Sequence, residues 1–413
     1  MPTNSSSVIV EAVVKLTEVC NINCTYCYVF NRGDESYKKH AKYMQPETIR
    51  ALAEFLSSAA TELNANEVRV DFHGGEPLMM KKQRFDEYCE LIKLLLPKDV
   101  RLIFGLQTNG MLVDEGWIEL FHKYQVNVGV SLDGPKDFND RERVDHQGRG
   151  TYDRARRGLD MLRDAQNMGR IPGFGVLTVA NPEVNGGEVY RHFVHDVKID
   201  SVDFLLPIES HDQFDATTSR AYGQFLCDAF DAWIEDDDAF VHVRLFSNVL
   251  SFMQNGATLV DRVMEDRNKY YHLITVSSNG DIGPDDALRT VPLELFDEHT
   301  ISNSTLKSYE SSRKIELIRF SENTLPNDCM DCAWKNICRG GAAHGRLINR
   351  FSEDRGFNNK SIICEGLQLF YSHVAARMLS NGIGFEQLKS NLIREEEAFV
   401  SYGDRECGFA KSA

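Results

Sequence analysis

No run of about 18 apolar residues occurs anywhere in this 413-residue chain, so no membrane-crossing helix is expected. The opening residues, Met1 to Ser7, are short and polar and carry neither a basic start nor an apolar core. No secretion signal is therefore expected, and a cytoplasmic location is. Positive charge is also scarce: 46 Lys and Arg stand against 62 Asp and Glu, a net charge of −16. That balance argues against a nucleic acid or an anionic membrane as partner and is compatible with a basic peptide. Cysteine is thin outside two short stretches, at 20 to 27 and 329 to 338. Such clustering fits metal ligation in a reducing compartment better than a disulfide framework. Cys89 and Cys227 fall in apolar helical patterns and read as small buried hydrophobes, and Cys407 has no reading. With 42 % hydrophobic residues, the length suits two or three globular domains.

What is present centres on the run Thr17-Glu-Val-Cys20-Asn-Ile-Asn-Cys24-Thr-Tyr26-Cys27. Three thiols this close must converge in one loop. A spacing of three and then two intervening residues suits three corners of an iron-sulfur cube better than a tetrahedral metal, which needs four ligands. A zinc knuckle or three buried thiols is the plainer alternative.

From Val8 to about Leu206, strand and helix patterns alternate. Strands are expected at 8–16, 67–72, 101–106, 126–132, 173–179 and 202–206, and helices at 45–63, 83–96, 114–124, 152–167 and 187–194. Six strands separated by helices predict an α/β fold with a parallel sheet, an open partial barrel whose site lies at the carboxyl ends of the strands. The distinctive residues fall at those ends. His73-Gly74-Gly75-Glu76-Pro77 follows the second strand, where two glycines allow close backbone approach and a carboxylate can meet an ammonium group. Gln107-Thr108-Asn109-Gly110 follows the third strand; Ser131-Leu-Asp133-Gly134 follows the fourth, with Arg143 beyond it. Each of these alone is also ordinary turn and capping chemistry.

Together the motifs resemble those of radical S-adenosylmethionine (SAM) enzymes of the peptide-modifying kind. The resemblance implies a partial (β/α)6 TIM-type barrel and a [4Fe-4S] cluster on Cys20, Cys24 and Cys27, with its open iron chelated by SAM. An electron from the cluster would cleave SAM to methionine and a 5'-deoxyadenosyl radical. It further implies SAM contacts from Tyr26 beside the cluster, Gly74, Gly75 and Glu76 at the methionine amino group, Asn109 of a Thr-Asn-Gly pattern, Ser131 and Arg143 at ribose and carboxylate, and Leu177 near adenine.

Beyond the barrel the pattern turns helical between 209 and 270, and a strand then enters a hairpin at Asn279-Gly280. Cys329, Cys332 and Cys338, with the distant Cys364, supply four ligands for a closed site; by spacing alone, zinc and a [4Fe-4S] cluster are nearly level. The stretch resembles the C-terminal half of a SPASM domain, the auxiliary-cluster module of these enzymes, which implies a cluster. The departures matter. Gly280 plus five is Asp285 rather than Cys, no Cys lies between Cys227 and Gly280, and Ala342 stands four residues after Cys338. The ligands of a first auxiliary cluster are thus missing and one auxiliary cluster is expected. The domains read as a barrel over 1–208, a helical bridge over 209–270, a truncated SPASM-like domain over 271–381 and a helical tail over 382–413.

Asp286 aligns with the aspartate that serves as general base in anaerobic sulfatase maturases, with Asp285 as its rival. The runs Phe204-Leu-Leu-Pro207, Gly283-Pro-Asp-Asp286 and Cys338-Arg-Gly-Gly-Ala-Ala-His344 look most like the maturases that form three-residue cyclophanes in ribosomally made peptides. The resemblance implies a precursor peptide as substrate, a carbon-carbon crosslink from an aromatic ring to a nearby β-carbon, and a flavodoxin- or ferredoxin-like electron donor. A thioether-forming maturase, an anaerobic sulfatase maturase and a non-catalytic, metal-stabilised binding protein are the alternatives.

Overall fold

The computed structural model describes residues 8–256, 271–296, 298–341, 347–393 and 400–402. Ala342, His344, Cys407 and the last part of the expected bridge lie outside them. The chain forms two compact units, the first of residues 1–177 and 266–316, the second of 178–265 and 317–413.

In the first unit, strands and helices alternate as β1 (Ile9–Thr17), α1 (Pro46–Leu63), β2 (Glu67–Gly74), α2 (Lys82–Leu95), β3 (Arg101–Thr108), α3 (Glu115–Tyr124), β4 (Asn127–Ser131), α4 (Lys136–Glu142), α5 (Tyr152–Asn167) and β5 (Phe174–Val179). The strands β1 to β5 pair in sequence order and all in parallel. Two signals set the helix ends. Pro46 starts α1 with its φ already helical, and Asp114 caps α3 by accepting the Trp117 amide at 3.0 Å.

Alternation along the strands decides what the sheet offers each side. On β2, Val68, Val70 and Phe72 are fully buried toward the helices, where Phe72 meets Phe85 edge-on at 5.0 Å and Phe85 meets Trp117 at 5.3 Å. Each such ring contributes about 1.5–3 kcal/mol by burial. Arg69, Asp71 and His73 alternate with them and so face the interior of the curved sheet, where they stay partly accessible.

In the second unit the expected helix at 187–194 is α6 (Gly186–Arg191), which continues as a wider π-turn over His192–Val197. The chain then forms β6 (Ser201–Leu205), α7 (Ser219–Asp236), β7 (His242–Val243) and α8 (Arg244–Asn255), with β6 and β7 parallel. The long helix Cys364–Ser380 packs on α7 through glycines: a Cβ on Gly223 would lie 2.4 Å from the Gly366 carbonyl, and one on Gly366 would lie 2.2 Å from the Ser219 carbonyl. Only glycine permits that approach, and it fixes where Cys364 sits.

Back in the first unit, β8 (Tyr271–Val276) pairs in parallel with β1 from Ile9↔Tyr271 to Val14↔Val276, then turns through Asn279-Gly280 into antiparallel β9 (Asp281–Gly283). The hairpin follows the sequence reading. The parallel pairing with β1 does not, and it brings the turn after β9 to the ends of β1 and β2.

Candidate functional site

The loop after β1 carries Cys20, Cys24 and Cys27, and other parts of the chain hold its backbone. Asn23 donates to the Val144 carbonyl at 2.7 Å, and Thr25 donates to the Glu142 carbonyl at 3.0 Å. On the other side lies Gly74-Gly75-Glu76. The Gly75 amide bonds the Thr17 carbonyl and the Glu76 amide bonds the Val19 carbonyl, both at 2.9 Å. Gly74 has φ +138°, and a Cβ on Gly75 would stand 2.2 Å from the Val19 carbonyl oxygen. The two glycines are required by contact with the cysteine loop itself.

Glu76 is 1 % exposed. Its carboxylate accepts from the amides of Leu78 at 3.0 Å and Asn109 at 2.8 Å and from the Thr108 hydroxyl at 2.7 Å. Burial raises its pKa, against these bonds. Roughly four acceptor positions are available on a carboxylate, so one remains. Asn109 in turn donates to Asn21 at 2.7 Å and lies 3.9 Å from Cys20 Sγ.

Across the loop, Arg143 Nη1 donates to the Tyr26 hydroxyl at 2.8 Å, and that hydroxyl donates to Asp133 Oδ2 at 2.5 Å. Arg143 follows α4, a helix the periodicity did not predict. Burial opposes the Arg143 charge, but Tyr26, Cys24 and Asp133 outweigh it and hold its pKa up. Ser131 accepts from Gln107 at 2.7 Å, and Leu177 pairs beside Ser131 on β5. The eight residues expected at SAM and the three cysteines therefore all gather at the carboxyl ends of β1 to β5.

Burial pushes the Cys20 thiol up to about 12 and raises those of Cys24 and Cys27. Backbone N–H groups of Ile22, Val29 and Phe30 point at the sulfurs of Cys20 and Cys27, and the Arg143 charge lies near Cys24. Buried thiols with amide donors aimed at them suit a cationic iron-sulfur centre, which supplies the charge that ionises them.

Asp286 opens a single 3-10 turn, Asp286–Thr290, after β9. Its neighbour Asp285 caps that turn, accepting the Ala287 amide at 2.9 Å. Asp286 instead accepts from the Tyr28 hydroxyl at 2.5 Å, one residue past Cys27. His73 senses the Asp286 charge, although burial dominates and lowers its pKa. Tyr28 and His73 had no role in the sequence reading. The signal that could have found them was adjacency, Tyr28 to the last cysteine and His73 to the Gly-Gly pair.

In the second unit, Cys329, Cys332, Cys338 and Cys364 line one small cavity, partly open to solvent, together with Trp334, Gln368 and Tyr371. Two tight turns and the short helix Lys335–Cys338 carry the first three; Cys364 begins the helix packed on α7. Gln368 Nε2 lies 3.4 Å from Cys364 Sγ and the Trp334 amide 3.4 Å from Cys332 Sγ, while Tyr371 hydrogen-bonds Cys338. Cys364, Gln368 and Tyr371 share one helix face. Burial raises Cys329 to about 11 and Cys338 to about 12. Four thiols around one cavity form the donor set of a closed site.

A parallel α/β barrel with three cysteines on its first loop defines the class, and comparison with known proteins agrees. Residues 14–184 match the Radical SAM superfamily. The cysteine-type anaerobic sulfatase-maturating enzyme of Clostridium novyi (strain NT) is 25 % identical over 374 residues, covering 85 % of this chain and 91 % of that protein. The serine-type enzyme of Bacteroides thetaiotaomicron is 23 % identical over 394 residues, covering 87 % and 88 %. Among solved structures, anSMEcpe with bound AdoMet and the Kp18Cys peptide superposes with a TM-score of 0.73 at 22 % identity, covering 91 % of this chain and all of that one; this likeness is one of fold. The cofactors are those of this family, SAM and [4Fe-4S] clusters. Among the described residues, no helix is long and apolar enough to cross a membrane, and Cys89 and Cys227 are buried in α2 and α7 as expected.

Proposed function

We propose that this radical SAM enzyme oxidises a side chain of a peptide or protein substrate by two electrons, with Asp286 as the proton acceptor. The observation that carries the reading is the Tyr28–Asp286 hydrogen bond, which sets a carboxylate beside the cysteine loop. When bound, SAM and its cluster supply the abstraction of a hydrogen atom, and an auxiliary cluster on Cys329, Cys332, Cys338 and Cys364 supplies an acceptor for the second electron. The chain's own residues do the rest. Glu76, Asn109, Ser131 and Arg143 orient SAM, Tyr26 and Asp133 fix Arg143, and Asp286 takes the proton that leaves the substrate. A flavodoxin- or ferredoxin-like donor provides the reducing electron.

The relatives spanning most of the chain favour sulfatase maturation, oxidation of a cysteine or serine to an aldehyde, over the cyclophane reading. One observation keeps the crosslinking reading as a second: Asp285 stands where a first auxiliary cluster would need a cysteine, and it caps a turn. The test is tandem mass spectrometry of a sulfatase-derived peptide and of the short peptide encoded beside this gene, each treated anaerobically with the enzyme and with Cys24→Ala. A product captured by an aldehyde-reactive hydrazide establishes maturation. Loss of two hydrogens with fragmentation silenced across an aromatic-x-x segment establishes a crosslink. An untouched peptide of both kinds overturns the proposal.

A further inference from the structure

We propose that Asp71 is the specificity residue of this site, and that it binds a cationic side chain, lysine or arginine, of the substrate. The inference rests on the barrel interior being where the substrate is oxidised. Asp71 is two residues before His73 on the inward face of β2, about 6.6 Å deeper in the barrel, and His73 is within electrostatic reach of Asp286. A long side chain that enters past Asp286 and His73 into the barrel reaches this carboxylate.

The barrel is built to make room for it. Asp71 is paired in register with Gly105 on β3, where a Cβ would lie 1.8 Å from Asp71 Oδ1. The carboxylate therefore lies flat across the inward face of the neighbouring strand, in space a side chain would otherwise fill. Gly129 on β4 does the same for Gln107, whose Oε1 would lie 2.0 Å from an added Cβ. Two polar side chains thus lean in one direction over a glycine floor.

What Asp71 lacks among the described residues is a partner. The nearest cation on its own strand, Arg69, is taken by Glu67 at 2.5 Å and by Glu11 at 3.8 Å. Glu11 is further held by the Tyr271 hydroxyl. Gln107 is turned toward Ser131. Asp71 makes no hydrogen bond or ion pair with any described residue, yet it faces a largely desolvated interior beside Glu11, and those two causes push its pKa up to about 7. An unpaired carboxylate in such a place is costly, and a substrate cation removes the cost through a charge-assisted bond. A neutral side chain leaves the carboxylate desolvated, which is a basis for rejection as well as for attraction.

The test uses the reconstituted, SAM-loaded enzyme and two small probes, n-butylguanidinium and its neutral isostere n-butylurea, with binding read by the ligand-dependent shift in thermal unfolding. The expected result is saturable binding of the cation, no saturable binding of the urea, and at least a tenfold weakening for Asp71→Asn. Gly105→Ala, which displaces the carboxylate without removing it, should weaken binding as well. Equal binding of both probes, or cation binding that Asp71→Asn leaves intact, overturns the proposal. Because this readout needs no turnover, it stands apart from the peptide oxidation assay. A parallel comparison of peptides bearing lysine or norleucine beside the oxidised residue then reads specificity, with Asp71→Lys expected to favour glutamate in that place.

Discussion

The Tyr28 hydroxyl donates to Asp286 Oδ2 at 2.5 Å across 258 positions of sequence, joining the end of the cysteine loop to the turn after β9. Tyr28 is fixed by its neighbour Cys27, whose amide bonds the Cys24 carbonyl at 3.1 Å, and Asp286 is fixed by the turn that Asp285 caps. Burial and the Asp286 charge both raise the Tyr28 pKa, so the phenol stays a donor. The phenol takes one acceptor position of the Asp286 carboxylate and leaves others open to a substrate.

Replacing Asp286 by Asn should therefore lower the yield of oxidised peptide per 5'-deoxyadenosine formed by about 10²–10⁴, the usual range for a general base. Tyr28→Phe should lower the same ratio by a smaller factor, since it loosens the carboxylate without removing it. Liquid chromatography of both products from one anaerobic reaction checks this. A ratio unchanged in Asp286→Asn would remove Asp286 from the chemistry.

Arg289 should act as a positioning residue for that turn. In a 3-10 helix, residues three apart eclipse, so Arg289 lies under Asp286. Its guanidinium is 3 % exposed, stacks 3.8 Å from the Phe296 ring centroid and donates to Ser277 at 2.5 Å and Ser36 at 3.3 Å. Phe296 itself fills the space over Gly283, where a Cβ would lie 2.0 Å from the ring. Arg289→Met should cost about 1–3 kcal/mol of stability by stranding the buried Ser277 hydroxyl. It should also lower the product ratio and raise the KM for peptide, and Arg289→Lys should restore part of both. A stability loss with an intact product ratio would leave Arg289 a purely structural residue.

The second cysteine site should hold iron. Cys364→Ala should reduce the iron content of the anaerobically reconstituted enzyme by about four atoms per chain and leave the cluster on Cys20, Cys24 and Cys27 in place. Metal analysis with electron paramagnetic resonance of the reduced protein reads both clusters. Stoichiometric zinc at this site, retained through reconstitution, would contradict the assignment.

Much of the site was legible because its residues are adjacent in sequence. Cys20 to Cys27 and Gly74 to Glu76 each sit in one loop; spacing points to a cluster on the three cysteines, while the role of the Gly-Gly-Glu run came from the family resemblance. The four residues that hold the second cavity were found because few other cysteines remain. What sequence could not give is lateral register. That Asp71 lies over Gly105, or that Tyr28 reaches Asp286, depends on which strands pair and where, and a period-two pattern names no partner. The same gap hid the parallel pairing of β8 with β1, which reads locally as a hairpin strand. Helix α4 was obscured by its length, seven residues with one buried side chain, Asn139. Asp285 and Asp286 were separable only once the cap was seen.

Asp71 also predicts how stability depends on pH. Its carboxyl ionises near 3.8 in the unfolded chain and at about 7 in the folded one. Between those values the native state holds a proton that the unfolded state has lost, so this group's contribution to stability falls as pH rises through the window. Above pH 7 the penalty is complete, at most about 4 kcal/mol. The charged and titratable groups on the inward faces around it are Glu11 and Lys15 on β1, Arg69 and His73 on β2 and Tyr271 on β8; Lys15 is paired with Glu18 at 3.2 Å, Glu11 raises the Asp71 pKa and Arg69 lowers it. Asp71→Asn removes the penalty, so the variant should unfold at a higher temperature than the native protein near pH 8, by a smaller margin near pH 5, and at a similar temperature only below about pH 4, where Asp71 carries its proton in both states. Saturating n-butylguanidinium should narrow the gap near pH 8 by pairing the native carboxylate, and should leave the variant unmoved. An Asn variant no more stable than the native protein near pH 8 would mean that the carboxylate already has its counter-charge in the folded chain, and the substrate would not need to bring one.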